Sequence, residues 1–234
     1  MKIAVLGSGS EGNSVLVQSA RTSVLIDAGF SGKKIEQRMS DIDVSPQDVQ
    51  AVMVTHEHID HIRGAGVFSR RYKVPVCATV GTLQRGRSIL GNLEDPKEIQ
   101  GGNSFEIGDL TISPFDISHD ASEPVGYVVE ADGKRVGICT DSGCVTLLMR
   151  EKLKNCHALI LEMNHDPTML LAGPYPWELK QRIRSRVGHL SNDDAGEFLS
   201  ILWHSEMSHV FLAHLSKENN LPELVNLTAR DALD

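Results

Sequence analysis

The sequence predicts an α/β protein, and two observations carry that prediction. Short apolar, β-branched runs alternate with Gly/Ser and Gly/Asp turns, and amphipathic stretches follow the groups of runs. At 234 residues the chain is long enough for one large domain with a substantial core. It shows no internal repeat, low-complexity tract or linker, so a single domain over residues 1–234 is expected.

In chain order, residues 3–6, 15–18 and 24–26 read as strands punctuated by glycine and serine. Ser31 is placed to cap a helix over 31–39. Residues 51–55, Ala-Val-Met-Val-Thr, read as a buried strand, followed by a helix over 62–72 and a strand over 74–78. Gly108-Asp109 turns a hairpin between 105–107 and 110–112, and residues 131–134 turn another between 125–130 and 135–139. Helical patterns return over 145–153, 176–187, 192–204 and 221–232, the third marked by Ser191 as cap and Asp193 and Asp194 in its first turn.

Twenty-three basic residues against thirty-one acidic give a net charge of −8, a solubility statement first and the opposite of a general nucleic-acid binder. Cys77, Cys139, Cys144 and Cys156 form no CxxC pair and no disulfide-like framework. Met1-Lys2 runs straight into an apolar strand without a secretory leader pattern, and no apolar run approaches the ~20 residues of a membrane helix. The expectation is a soluble bacterial cytoplasmic protein with reduced thiols.

The most informative stretch is His56-Glu57-His58-Ile59-Asp60-His61, directly after the 51–55 strand. In an extended segment His56 and His58 point one way and Glu57 the other. Asp60 and His61 fall where the chain turns into the next helix, so they can face a second ion. Imidazole with carboxylate suits zinc, manganese or iron, and the lack of a cysteine pair argues against a closed structural zinc site. The bland reading is a polar loop of surface histidines. Four ligand-type residues in this order after a buried strand outweigh it.

H-x-H-x-D-H after an apolar strand resembles the signature of the metallo-β-lactamase superfamily. That resemblance implies a four-layer αββα sandwich, with helices outside two packed sheets. It also implies an earlier strand-end aspartate, matched by Asp27, then a lone histidine (His119), a metal-bridging aspartate (Asp141) and a final histidine (His214). The opening Gly7-Ser8-Gly9-Ser10-Glu11-Gly12-Asn13-Ser14, together with Glu162-Met163-Asn164-His165-Asp166, Gly188-His189-Leu190-Ser191-Asn192 and His214-Leu215-Ser216-Lys217-Glu218-Asn219, resembles the YycJ/WalJ-type branch. That branch is described as bacterial metal-dependent phosphodiesterases acting as DNA exonucleases. Relatives often continue beyond the last predicted helix, and larger nucleases of the superfamily carry a domain inserted between the positions of Asp141 and His214, where this chain has no room for one.

The resemblance implies two divalent ions, zinc or manganese. His56, His58 and His119 would hold one, and Asp60, His61 and His214 the other. Asp141 would bridge them, and Asp27 would steady a histidine ring from behind. The leading expectation is a phosphodiester hydrolase, a DNA exonuclease in which a metal-bridging hydroxide attacks phosphorus, with Asp60 also orienting the nucleophile. His189, then His165, are candidates to protonate the leaving oxygen or grip a phosphate; the alternatives are a helix-capping role near Ser191 and a loop histidine. Asn13, Ser191 and Asn219 are candidate substrate contacts. So is the basic run Lys180, Arg182, Arg184, Arg186, which on a helix would spread around about half the surface. His157, His204 and His209 lack comparable context and receive no role.

Nucleic acid, DNA first, is the expected partner. The alternative enzyme is a hydrolase of a cyclic phosphodiester, thioester or lactone using the same metals. A non-enzymatic metal-binding scaffold would predict missing ligands, whereas all seven positions are filled. A β-lactam substrate does not fit a chain without a secretion signal, and the fold hosts many chemistries.

Overall fold

The computed structural model describes residues 1–233. The chain forms two compact units, Met1–Pro114 with Ala121–Lys134, and Phe115–Asp120 with Arg135–Asp234. Among the described residues twelve strands are hydrogen-bonded into two six-stranded mixed sheets, and helices flank them.

The first sheet belongs to the first unit. It takes β1 (Lys2–Gly7), β2 (Ser14–Gln18), β3 (Ser23–Ile26), β4 (Val49–Met53), β5 (Val76–Thr79) and β6 (Pro96–Ile99) in sequence order. β1 to β3 pair antiparallel, and β3 to β6 are parallel. β3 and β5 are buried on both faces and β4 at every position but Gln50, whereas the edge strand β6 is largely exposed. A core of Leu16, Leu25, Val52, Val54, Phe68 and Leu90, with helical Ile35 and Met39, sits against this sheet. Ile35 and Met39 lie four apart on α1 (Gly32–Ser40), whose Ser31 cap accepts a hydrogen bond from Lys34 N.

The helix expected over 62–72 is two. α2 (Ile59–Ile62) starts earlier, immediately after His58, and α3 (Ala65–Tyr72) follows a break. At the break Gly64 N donates 2.7 Å to Ala28 O instead of continuing the helix, so the turn is bound to the strand end behind it. α4 (Val80–Leu90), capped by Thr79, was not read from the sequence, because its mixed Gly/Thr/Gln/Arg composition has little apolar periodicity.

The second sheet runs β12-β11-β10-β9-β8-β7, with β7 (Phe105–Ile107), β8 (Leu110–Asp116), β9 (Val125–Ala131), β10 (Lys134–Cys139), β11 (Ala158–Glu162) and β12 (His209–Ala213). In the second unit β10, β11 and β12 are parallel neighbours, with Cys139 level with Leu161 and Leu161 level with Leu212. Its helices are α5 (Leu147–Leu153), α6 (Pro167–Ala172), α7 (Trp177–Ile183), α8 (Asn192–Leu202) and α9 (Pro222–Asp231). α8 packs against α5 and α9 and buries Ala195, Phe198, Leu199 and Leu202, three to four apart. Ser191 caps it as expected, its Oγ accepting from Asp194 N at 3.1 Å.

The helix expected over 176–187 stops at Ile183. Beyond it the chain turns away to bond elsewhere: Ser118 Oγ donates 2.7 Å to Arg186 O, and Asp120 N donates 3.0 Å to Val187 O. Among the described residues no helix is long and apolar enough to cross a membrane.

Candidate functional site

Ligand-type side chains gather at the carboxyl ends of strands in each unit. In the first unit the chain leaves β4 through Val54 and Thr55 into His56, and β3 into Asp27. Asp27 takes a left-handed backbone, φ 61°, which turns its carboxylate back toward the β4 end. There it accepts from Thr55 N at 2.8 Å and from Thr55 Oγ1 at 2.9 Å. It also lies 2.7 Å from His61 Nδ1, which a carboxylate acceptor fixes as the protonated nitrogen. Thr55 Oγ1, its proton directed at Asp27, then accepts from His56 Nδ1 at 3.0 Å.

Both rings are thereby held by Nδ1 with Nε2 left as a lone-pair donor, the tautomer a metal-ligating histidine takes when a second group holds its other nitrogen. His56 Nε2 converges on His58 Nδ1 at 3.0 Å, and the His56 and His61 ring centres are 4.1 Å apart. Asp60 Oδ2 lies 3.6 Å from His61 Nε2. Three imidazoles packed this closely, with His56 and His61 fully buried, form a donor set that fits a divalent cation.

The glycine-rich segment after β1 closes over this cluster. Asn13 Nδ2 is 3.0 Å from His61 Nε2 and 3.3 Å from Asp60 Oδ2, while its Oδ1 accepts from Gly9 N at 2.8 Å. A side chain at Gly29 would strike Asp60 O at 1.6 Å, so only glycine allows the Asp60 backbone to approach. Asn13 thus lies among the candidate ligands, and its amide is already held by its own loop.

In the second unit the parallel register of β10, β11 and β12 brings Asp141, Glu162 and His214 out at the same strand ends. Asp141 and His214 again adopt left-handed backbones, φ 61° and 55°. Asp141 Oδ1 is 3.4 Å from His214 Nε2 and 3.9 Å from His119 Nε2. His119, just beyond β8, donates from Nδ1 to Gly188 O at 3.1 Å, so its Nε2 is the donor toward Asp141. Ligand atoms of Asp141, Glu162, His189 and His214 all lie within 4.8 Å of one another.

Glu162 is the residue that sequence reasoning missed as a functional group. Fully buried, its Oε1 lies 2.8 Å from both His189 Nδ1 and His214 Nδ1, and its Oε2 accepts from Ser142 N at 3.1 Å and Leu190 N at 3.2 Å. Burial pushes this carboxyl up, but the adjacent His189 charge and the two histidine hydrogen bonds outweigh it and hold the group at about 2. For His189 burial works downward and the neighbouring Glu162 upward, and the net shift is upward. A signal for Glu162 was present: it ends Ala158-Leu159-Ile160-Leu161-Glu162, the same apolar-run-then-ligand pattern as the 51–56 stretch.

His165 is brought near this cluster but buried, 3% exposed. Its Nδ1 has no hydrogen-bond partner, and burial lowers its pKa to about 4. Ser191 pairs with His165 in an isolated bridge and caps α8. Asn219 is buried, its backbone amide bonded to Ser216 Oγ and its carbonyl accepting from Asp166 N.

The basic run does not act as one surface. Lys180 Nζ is turned inward and donates 2.7 Å to both Leu171 O and Gly173 O. Arg182 Nε pairs with Asp120, whereas Arg184 and Arg186 are exposed.

Mixed sheets flanked by helices, with histidine and aspartate gathered at strand ends, define a divalent-metal-binding α/β protein. A family profile described as "Beta-lactamase superfamily domain" matches residues 22–214. The chain is 38% identical over 236 residues to Exodeoxyribonuclease YycJ of Bacillus anthracis, an alignment covering 100% of this chain and 89% of that protein. It is 38% identical over 231 residues to Exodeoxyribonuclease WalJ of Streptococcus pneumoniae serotype 2, covering 97% and 86%. Among solved structures, the metallo-beta-lactamase fold protein YhfI from Bacillus subtilis superposes with a TM-score of 0.77 at 17% identity, covering 99% of this chain and 93% of that one. The chain belongs to the β-lactamase superfamily and is a metal-dependent hydrolase of the metallo-β-lactamase fold.

Proposed function

We propose that the protein is a dinuclear metal-dependent exodeoxyribonuclease, a cytoplasmic enzyme built as one functional domain. The observation that carries this reading is 38% identity along the whole chain to two exodeoxyribonucleases. The proposed ligand set is His56, His58 and His119 for one ion and Asp60, His61 and His214 for the other, with Asp141 shared. The histidine tautomers and the packing of like donors support it. Two divalent ions in such a set supply Lewis acidity toward phosphoryl oxygens and lower the pKa of water.

The chain's own residues do the rest. Asp27 and Glu162 hold imidazoles by Nδ1, fixing where each Nε2 points. His189, anchored by Glu162 and with a side chain 19% exposed, is the proposed proton donor to the leaving oxygen, in preference to the buried His165. Asp60 is proposed to orient the nucleophile.

The net charge of −8 favours a second reading, hydrolysis of a small phosphodiester, thioester or lactone by the same residues. One experiment separates them: hydrolysis of end-labelled single- and double-stranded DNA, RNA and bis-p-nitrophenyl phosphate with Mn²⁺ or Zn²⁺. Asp141→Ala and His61→Ala are assayed alongside. Metal-dependent shortening of DNA that both variants lose is the expected result. Cleavage of the small diester alone moves the assignment to a small-molecule enzyme, and no phosphodiester cleavage by metal-loaded protein overturns both phosphodiesterase assignments.

A further inference from the structure

We propose that the arm from Trp177 to Arg186 is a docking platform for the single-stranded end of DNA. On it the Trp177 indole stacks on an unpaired base, while Arg184 and Arg186 hold the flanking phosphates. The proposal rests on the exodeoxyribonuclease reading and names the strand state that enzyme would select.

Trp177 opens α7 with 59% of its surface exposed, and Gln181 and Arg184, also exposed, follow at helical positions four and seven further on. Those three share one helix face about 10 Å long at 1.5 Å per residue. Lys180, 9% exposed, donates its ammonium to Leu171 O and Gly173 O, which ties the arm to the segment before it while Trp177, Gln181 and Arg184 stay exposed.

The end of the arm is fixed beside two loops that carry candidate ligands. Arg182 pairs with Asp120, Arg186 O accepts from Ser118 Oγ, Val187 O accepts from Asp120 N, and Gly188 O accepts from His119 Nδ1. On the other side a Cβ at Gly143 would lie 2.4 Å from Arg186 C and from Gly188 N. Glycine two residues after Asp141 is what lets the arginine-bearing turn press against that loop.

Charge selects the occupant. In a chain of net charge −8, the stretch from Trp177 to Gly188 keeps Arg184 and Arg186 as exposed cations against one acid, Glu178, since Lys180 is turned inward and Arg182 is paired with Asp120. Neither Arg184 nor Arg186 forms an ion pair with a described residue, so both guanidinium groups are open to phosphate. A polyanion is drawn to the two guanidinium groups of this strip. An exposed indole on the same helix face as an arginine stacks on any base whose face is uncovered, and a duplex covers those faces.

The test is fluorescence-anisotropy binding of a phosphorothioate oligo(dT) and of a matching phosphorothioate duplex to the metal-loaded protein. The variants are Trp177→Ala, Trp177→Phe, the double variant Arg184→Ala/Arg186→Ala, and Trp203→Ala as the control for another exposed indole. Trp177→Ala is expected to weaken single-strand binding by about 5- to 150-fold, with Trp177→Phe restoring most of it. The double arginine variant should flatten the slope of log K against log salt by roughly 1.4. Trp203→Ala should bind as wild type does. Equal single-strand binding by wild type and Trp177→Ala, or a wild type that holds duplex as tightly as single strand, overturns the proposal. If such a wild type still shortens DNA, the nuclease reading stands and the indole is left as a surface for a protein partner. A wild type that neither binds nor shortens any polynucleotide overturns both.

Discussion

The two donor clusters reach similar chemistry by different construction. In the first, four of the donors come from one continuous stretch, His56 to His61, shaped by a strand end and the single turn of α2. In the second, Asp141, Glu162 and His214 come from three parallel strands whose register alone aligns them, and His119 and His189 come from loops. The anchors differ in the same sense. Asp27 holds one imidazole and uses its remaining capacity on Thr55, whereas a single oxygen of Glu162 holds two imidazoles. The local cluster therefore has its fixing distributed over many bonds. In the dispersed one a single carboxylate fixes both His189 and His214, and His119 is held apart from it by Gly188 O.

Removing a donor from either cluster should have the largest effect. Asp141→Ala and His61→Ala are each expected to lower kcat/KM by roughly 10³-fold or more, the scale on which losing a member of a catalytic constellation falls. Metal content measured by elemental analysis should drop in parallel. A variant keeping wild-type activity after losing metal would remove its cluster from the chemistry.

The anchors come next, and they test the contrast directly. Glu162→Gln should reduce Zn²⁺ affinity, read by chelator competition, by about 100-fold, and Asp27→Asn by about 10-fold, the two ends of the range for groups behind a ligand. An Asp27 effect equal to or larger than that of Glu162 would break the argument that anchoring is concentrated in the second cluster.

How legible each cluster was follows from the same difference. His56, His58, Asp60 and His61 could be read because ligand spacing and strand periodicity coexist in one window. Asp27, Asp141 and His214 were legible as polar residues ending apolar runs, once a family resemblance said which runs mattered. Glu162 ends such a run too, but its role depends on the register of β10 to β12 and on His189 arriving from a distant turn, and no local pattern encodes either. Lys180 shows the reverse failure. It looked like one of four equivalent phosphate contacts, but Leu171 O and Gly173 O hold it inward while Arg184 and Arg186 stay outside. The helix break at Gly64 was invisible for a related reason, since its cause is a hydrogen bond to Ala28 on another strand end.

Smaller effects sharpen the contrast further. Ser191→Ala, at the buried cap of α8 beside the dispersed cluster, should cost about 1 kcal/mol in urea unfolding. Ser31→Ala, whose exposed cap bond is 3.4 Å, should cost about 0.5 kcal/mol, the low end of the same range. Comparable costs would mean that the two clusters are supported equally by their neighbouring helices.

The first unit also buries Cys77, and burial, with Lys97 opposing, raises its thiol to about 12 from an ordinary 9.0. The unfolded chain therefore ionises first, so stability from this group is complete below pH 9.0 and is lost as pH climbs toward about 12. Cys77→Ala should show a shallower alkaline fall in urea stability than wild type, with little difference at neutral pH. Identical alkaline slopes would show that the thiol is open to solvent hydroxide.

The left-handed backbones at Asp27, Asp141 and His214 set the chemistry against the fold. Each holds a residue with a Cβ where glycine would rest without strain, at a penalty on the order of 1 kcal/mol. Glycine at any of them would relax the chain while deleting a carboxylate or an imidazole. At Asp27 and His214 that relief would be set against the loss of buried hydrogen bonds to Thr55, His61 and Glu162, so the strained backbone there is held in place by the same side-chain bonds that orient the imidazoles.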